Sequence, residues 1–242
     1  MSAIRIEGLT KRYRDVTAVD NLSLNIEEGE LFSLLGVNGA GKTTTVKMLS
    51  CLTVATEGEA YLLGKSIRGE SAAVKSMIAV SPQETAVASG MSVRENLELI
   101  CGVHGFSRDK SHEKIKELTE LLGLGSVTGR KAGKLSGGWQ RRLSIAMALI
   151  SEPKILFLDE PTLGLDVLAR SDLWDIIRSL KGRVTIILTT HYMEEAEALS
   201  DRVAIMKDGK LLICDTPERI KEVAGTDNFE SAFVRIIRGE TK

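Results

Sequence analysis

The 242 residues predict an α/β fold whose sheet is mostly parallel, with helices packed on both faces. Three observations lead there. First, from Lys154 onward short apolar strands alternate with helices, the pattern of a parallel sheet joined by crossover connections. Second, the first thirty residues alternate with period two and break at Gly-containing turns, which marks an N-terminal antiparallel β subdomain. Third, from Val93 to Leu122 the chain is charged, helical and poor in β-branched residues, which marks an α-helical lobe inserted into the α/β frame.

Taken in order, Ile4 to Ile6 and Ser23 to Ile26 read as strands, and Glu28-Gly29 ends the second. Glu30 to Leu35 reads as a buried strand entering a Gly-rich loop, with a helix from Lys42 to about Ser50. A turn at Glu57-Gly58 precedes a strand over Glu59 to Leu63, and Met77 to Val80 is another, ending at Ser81-Pro82. After the charged helices, a further helix runs from about Trp139 to Ile150. Strands follow over Lys154 to Leu158, Arg183 to Thr189 and Arg202 to Met206, separated by helices over Val167 to Leu180 and Tyr192 to Leu199. Asp208-Gly209 turns the chain into Lys210 to Cys214. The expected organisation is a single domain over 1–242, with 84–150 as the inserted lobe and 1–83 with 151–242 as the core and β subdomain.

The totals exclude several classes. Net charge is −1, from 32 basic and 33 acidic residues, without the basic excess of a nucleic-acid binder. Cys51, Cys101 and Cys214 are odd in number and widely spaced, so they read as reduced thiols rather than as a disulfide framework or zinc site. No apolar run approaches the roughly 20 residues needed to span a bilayer, and the N-terminal stretch lacks the apolar segment of a signal peptide. Any part in a membrane process is expected from the cytosolic side, through a partner.

Gly36-Val37-Asn38-Gly39-Ala40-Gly41-Lys42-Thr43 fits GxxxxGK[ST] and lies between a predicted strand and a predicted helix, the context that gives the pattern meaning. Its glycines let backbone N–H groups converge on phosphate oxygens at a helix N-terminus. Lys42 then reaches the β- and γ-phosphates, Thr43 ligates Mg²⁺, and Thr44 follows on the same turn. Ile155 to Asp159 is an apolar strand ending in a carboxylate, with Glu160 directly after it. Asp159 is placed to hold Mg²⁺, and Glu160, one residue further on, to polarise an attacking water as general base. These two elements specify a P-loop NTPase core.

Lys134-Leu135-Ser136-Gly137-Gly138-Trp139-Gln140-Arg141-Arg142 narrows the class. Here the chain resembles the ABC transporter ATPases, whose signature is LSGGQ followed by a basic helix. Physically, Ser136, Gly137 and Gly138 at a helix start form a second anion site, which one P-loop does not itself need. The resemblance implies that this site completes the nucleotide pocket of the opposite protomer, so that ATP bridges two copies of the chain. Trp139 stands where Gln is commonest in the family, which leaves the packing on the adenosine side in question. The resemblance further implies that Tyr13 stacks on adenine, that Gln83 contacts Mg²⁺ and water at the border of the helical lobe, that Asp166 communicates across the dimer, and that His191 touches the γ-phosphate. An imidazole suits that last task because it donates a hydrogen bond to the transferring phosphoryl group. His104 and His112 carry no motif.

The likeness runs from Ile4 to about Ile237. Its closest texture is the subunit type that pairs with separately encoded membrane exporters, carried by Pro161 to Asp166, Thr189 to Ala196 and Phe229 to Phe233. It implies an ATPase peripheral to the cytoplasmic face of the membrane, binding Mg-ATP and working with an integral membrane permease and with a second copy of itself. The rival is an ABC ATPase without a transporter, such as an assembly ATPase. Two cassettes in one chain, as in translation factors, and the long heptad insertion of repair proteins are both missing from this sequence. A nucleotide binder that never turns over is disfavoured by intact Glu160 and His191.

Overall fold

The structure is a computed structural model describing residues 2–240. The chain begins as an antiparallel hairpin, β1 (Ser2–Tyr13) and β2 (Val16–Glu27), whose inward residues include Ile4, Ile6 and Leu22. β3 (Leu31–Gly36) is buried at every position and runs through the Gly-rich loop into α1 (Lys42–Leu49). β4 (Glu57–Leu62) and the two-residue β5 (Lys65–Ser66) return to the hairpin, giving an antiparallel sheet of order β2-β1-β4-β5. A short helix, α2 (Ser71–Met77), then leads to β6 (Ile78–Ser81).

Three helices follow: α3 (Val93–Val103), α4 (Arg108–Leu121) and α5 (Gly137–Leu149). α3 starts at a reciprocal cap, in which Glu95 N–H donates to Ser92 Oγ at 3.2 Å and Ser92 N–H to Glu95 Oε2 at 2.6 Å. Strand and helix then alternate through β7 (Ile155–Asp159), α6 (Val167–Leu180), β8 (Thr185–Thr190), α7 (Met193–Leu199) and β9 (Arg202–Lys207). β10 (Lys210–Asp215), α8 (Pro217–Ala224) and α9 (Phe229–Arg238) close the chain.

The second sheet has the order β10-β9-β3-β8-β7-β6. The pairings from β9 to β6 are all parallel, and β10 joins antiparallel through Asp208-Gly209, both in left-handed conformation as a two-residue hairpin requires. β8 lies between β3 and β7, so Gly36, Thr190 and Asp159 end up side by side at the carboxyl edge, where open α/β sheets bind ligands.

Apolar packing ties the pieces together. Leu97, Leu118 and Leu143 of the helical stretch share one cluster with Leu156, Leu188 and Ile177, so these helices rest on one face of the sheet. On the other face, Val46 and Met48 of α1 join Phe32, Phe157 and the β1–β2 hairpin. α8 and α9 cover Leu35 and Val203 with Ile220, Phe229 and Phe233. The sequence patterns located α6 at its observed bounds and most strands to within a residue or two, but not α2, β5, α8 or α9.

Candidate active site

Gly36 ends β3 against β9. A Cβ there would stand 2.4 Å from the Met206 carbonyl oxygen and 2.9 Å from the Ala40 Cβ, so only glycine fits. The loop then curls through left-handed backbone at Gly39 (φ 84°) and Gly41 (φ 100°). Gly41 precedes α1 with no side-chain cap, and the first turn carries no acid, so its amides remain available to an anion.

Lys42 is nearly buried. Its Nζ donates to the Gly36 carbonyl at 2.7 Å and stands 3.5 Å from Glu160 Oε1. Burial pushes its pKa below the usual lysine value, and the negative charges of Glu160 and Asp159 oppose that shift. At the end of β7, Asp159 Oδ1 accepts from the Thr43 hydroxyl at 3.2 Å and from the Thr189 hydroxyl of β8. Three elements thus converge on one carboxylate.

Glu160 follows with left-handed backbone, φ 48°, which a side chain bearing a Cβ rarely adopts and which concentrates at functional sites. Its N–H donates to the Thr189 carbonyl at 3.1 Å, fixing that turn. One carboxylate oxygen is thereby held near Lys42, while the other lies 2.8 Å from His191 Nδ1, just past β8. Glu160 and His191 border a cleft of ≈ 630 Å³, within the size range of small-ligand sites, whose floor is formed by Asn38 to Thr44 and whose rim includes Gln83.

Other sequence-predicted residues lie elsewhere. Tyr13 is half exposed at the end of β1 under the Lys11 ammonium, 4.8 Å from the ring centroid, and Val16 to Ala18, rather than Tyr13, reach the cleft. Val37 is exposed, and its carbonyl accepts from Ala40 N–H at 3.1 Å to close the loop. Ser136 and Gly137 are exposed at the start of α5, away from the cleft of their own chain, and a Cβ on Gly138 would meet Ala169 Cβ at 3.1 Å. Asp166 caps α6 through Ala169 N–H at 2.9 Å.

With this geometry in hand, comparison with known proteins is decisive: residues 19–163 match the family model described as ABC transporter. The chain belongs to the ABC transporter family. The match spans the Gly36–Thr43 loop, the Ser136–Gly138 segment and the Asp159-Glu160 pair of this ABC ATP-binding domain. Among curated relatives, the daunorubicin/doxorubicin resistance ATP-binding protein DrrA of Streptomyces peucetius is 38% identical over 93% of this chain and 68% of its own length. The probable multidrug ABC transporter ATP-binding protein YbhF of Escherichia coli (strain K12) is 37% identical over 98% of this chain and 42% of its own. The phospholipid-transporting ATPase ABCA3 of Homo sapiens is 39% identical over 93% of this chain but only 13% of its own. This ABC domain therefore spans a small part of some of its relatives and most of others. A solved structure described as an ATP binding subunit of an ABC transporter shares the fold, with a TM-score of 0.85 at 24% identity, covering 97% of this chain and 99% of that one.

One residue of the ABC domain went unread in the sequence. Arg141 on α5 is buried, and its guanidinium donates to the carbonyls of Pro82 and Gln83 at 2.6 and 2.5 Å, clamping the loop that carries Gln83 to the signature helix. Burial lowers its pKa, against the charges of Asp159 and Glu195. The only sequence signal was a second cation in Arg141-Arg142, where either could have been a surface residue. Trp139, the departure from LSGGQ, packs partly buried on the helical cluster, with Arg142 over its ring at 5.0 Å. Burial raises the pKa of all three cysteines, so their free thiols are poor nucleophiles.

Proposed function

We propose that this ABC domain binds ATP with Mg²⁺ on the Gly36–Thr43 loop, hydrolyses it, and thereby energises transport in the export direction through a separate integral membrane permease. The carrying observation is the convergence of Lys42, Glu160 and His191 on the rim of the phosphate-binding loop. Lys42, Asn38 to Thr44 and the α1 amides bind the phosphates. Lys42, 3.5 Å from Glu160, is placed to hold the phosphates, and Glu160 beside it to orient water for in-line attack. His191, hydrogen-bonded to Glu160, is suited to donate to the transferring phosphoryl group. Tyr13, exposed at the end of β1 near the Val16–Ala18 side of the cleft, is the aromatic proposed to stack on adenine.

The donor chemistry fits Mg²⁺. The Thr43 hydroxyl, the Asp159 carboxylate and the Gln83 amide oxygen are hard oxygen ligands. When bound, the ion would neutralise phosphate charge.

Among the described residues no helix is long and apolar enough to cross a membrane. A place on the cytoplasmic face, against a permease, is proposed from the transporter names of the relatives. Export itself is inferred from the drug-resistance and multidrug names of those relatives. Residues 84–150 are taken as the inserted lobe, through which the Arg141 clamp on Gln83 would pass motion to the permease. Two copies are proposed to close face to face, with Ser136, Gly137 and Gly138 of one and Asp166 beside them meeting the nucleotide held by the other.

Replacing Glu160 with Gln tests the chemistry. Turnover should fall by about 10²–10⁴-fold, the usual contribution of a general base, while calorimetric titration still detects ATP binding. Hydrolysis near the native rate in E160Q would remove Glu160 from the mechanism.

A further inference from the structure

Helix α6 starts at Asp166 and carries Arg170 and Trp174 one turn apart, on the same face. Both reach α7, the helix that begins directly after His191-Tyr192. The Arg170 guanidinium stacks on the Tyr192 ring at 4.6 Å, and Trp174 Nε1 donates to Glu195 Oε1 at 3.1 Å. Tyr192 in turn lies against the His191 ring, with centroids 4.2 Å apart, and its N–H donates to the Thr190 hydroxyl at 2.9 Å. His191 completes the line at Glu160 Oε2. The line runs unbroken from α6 to the hydrolytic carboxylate.

Glu195 is the unusual member. It has no exposed surface and does not border the nucleotide cleft. Burial pushes its carboxyl up from the ordinary range, against the hydroxyls of Thr190 and Thr162 and the indole of Trp174, and the Glu160 charge adds to the rise. Even so, Glu195 Oε2, Thr162 Oγ1 and Arg170 Nε are buried without a partner at hydrogen-bonding geometry. Burying a carboxyl costs stability even where hydroxyls and an indole surround it. Its presence calls for a reason other than stability.

We propose that Arg170, Trp174 and Glu195 are positioning residues that hold the His191 imidazole on Glu160, so that helix α6 sets the geometry of the hydrolytic pair. This rests on the reading of Glu160 and His191 given above. Because α6 begins at Asp166, whatever docks at that end of the helix acts on hydrolysis through this clamp.

The test uses the full chain, with steady-state ATP hydrolysis, ATP affinity by calorimetric titration and the thermal midpoint measured for each variant. Trp174→Phe keeps a ring and removes the N–H donor; Glu195→Gln keeps shape and hydrogen bonding without an ionisable carboxyl. Trp174→Phe should lower kcat by about tenfold or more, the scale expected when a reacting group is displaced by a fraction of an ångström, with ATP affinity within about twofold of native. Glu195→Ala should lower kcat likewise, and Glu195→Gln should restore it. In a His191→Ala background, Trp174→Phe should cause no further loss, because the two act as a unit. Multiplicative losses in the double variant would overturn the proposal, as would a loss of kcat that merely follows the thermal midpoint and ATP affinity. An unchanged kcat in His191→Ala alone would instead strike the role given to His191, on which the clamp depends.

Discussion

Glu160 has neighbours of opposite character: Lys42 and His191 on the cleft side, and the buried Glu195 behind. Lys42 stands 3.5 Å from Glu160, whereas Glu195 is fully buried. Glu195, with its folded carboxyl held above the ordinary 4.5, binds its proton more tightly in the folded chain than in the unfolded one. The stability this contributes is fully present below about pH 4.5 and is lost as pH rises through the folded pKa. Glu195→Gln carries no such proton, so its stability relative to the native chain should grow with pH. The gain should reach about 1.4 kcal/mol per pH unit while the native carboxyl stays protonated, then level off. Glu160 and Arg141 are the charges that act on this carboxyl, and both persist in the variant. Thermal midpoints of the two chains from pH 5 to 9 decide it, and a gap that does not change with pH would refute a proton held in the fold.

At the scale of elements, the loop carrying Gln83 is tied to α5 by Arg141, with Ser81 and Ser144 adding a hydroxyl pair at 3.0 Å. Arg141→Ala would remove two hydrogen bonds from a charged donor, typically about 1.5–3 kcal/mol each, and for a chain of this length each kcal/mol lowers the thermal midpoint by about 2–4 °C. Arg141→Lys should recover little, because an ammonium cannot reproduce the two-pronged donation. Calorimetric melting of both variants checks this, and a midpoint within a degree of native in Arg141→Ala would contradict it. Arg141 also marks the boundary of what the residues alone reveal. Patterns that repeat along the chain were legible: α6 by its apolar spacing, the buried strands by their runs, and the phosphate loop by its glycines. What escaped depends on contacts distant in sequence. Arg141 reaches back 59 residues to Pro82, and Glu195 looks like Glu194 until α6 packs over it. α9 buries Phe229, Ala232, Phe233 and Ile236 on one side, a helical period that the Phe229 to Phe233 resemblance alone does not express. Tyr13 could be placed on a strand, but not the Lys11 ammonium that covers its ring.

For the whole molecule, the two segments proposed to meet phosphate stand apart on one chain. The Gly36–Thr43 loop faces the cleft, and Ser136 and Gly137 are exposed near the start of α6, where Gly137 approaches Leu165. Val167 and Leu168, each 78% exposed, sit beside Asp166 at that same helix start. An exposed apolar pair near the start of α5, where Ser136 makes no side-chain cap, is a surface that gains by being covered. A second copy would cover it and bring its nucleotide phosphates to Ser136. If ATP bridges two copies in this way, blocking hydrolysis should lock them together, since ATP stabilises the state that binds it. Glu160→Gln at millimolar Mg-ATP should therefore scatter light as a dimer, and should return to a monomer when Ser136→Arg is added, with ATP binding to the cleft retained. The native chain, with Glu160 intact, should remain largely monomeric under the same conditions. A Glu160→Gln chain that binds ATP yet keeps monomer mass would confine the Ser136 surface to some other partner and remove the bridging nucleotide from the mechanism. Dimers that persist with Ser136→Arg would move the contact off the signature helix.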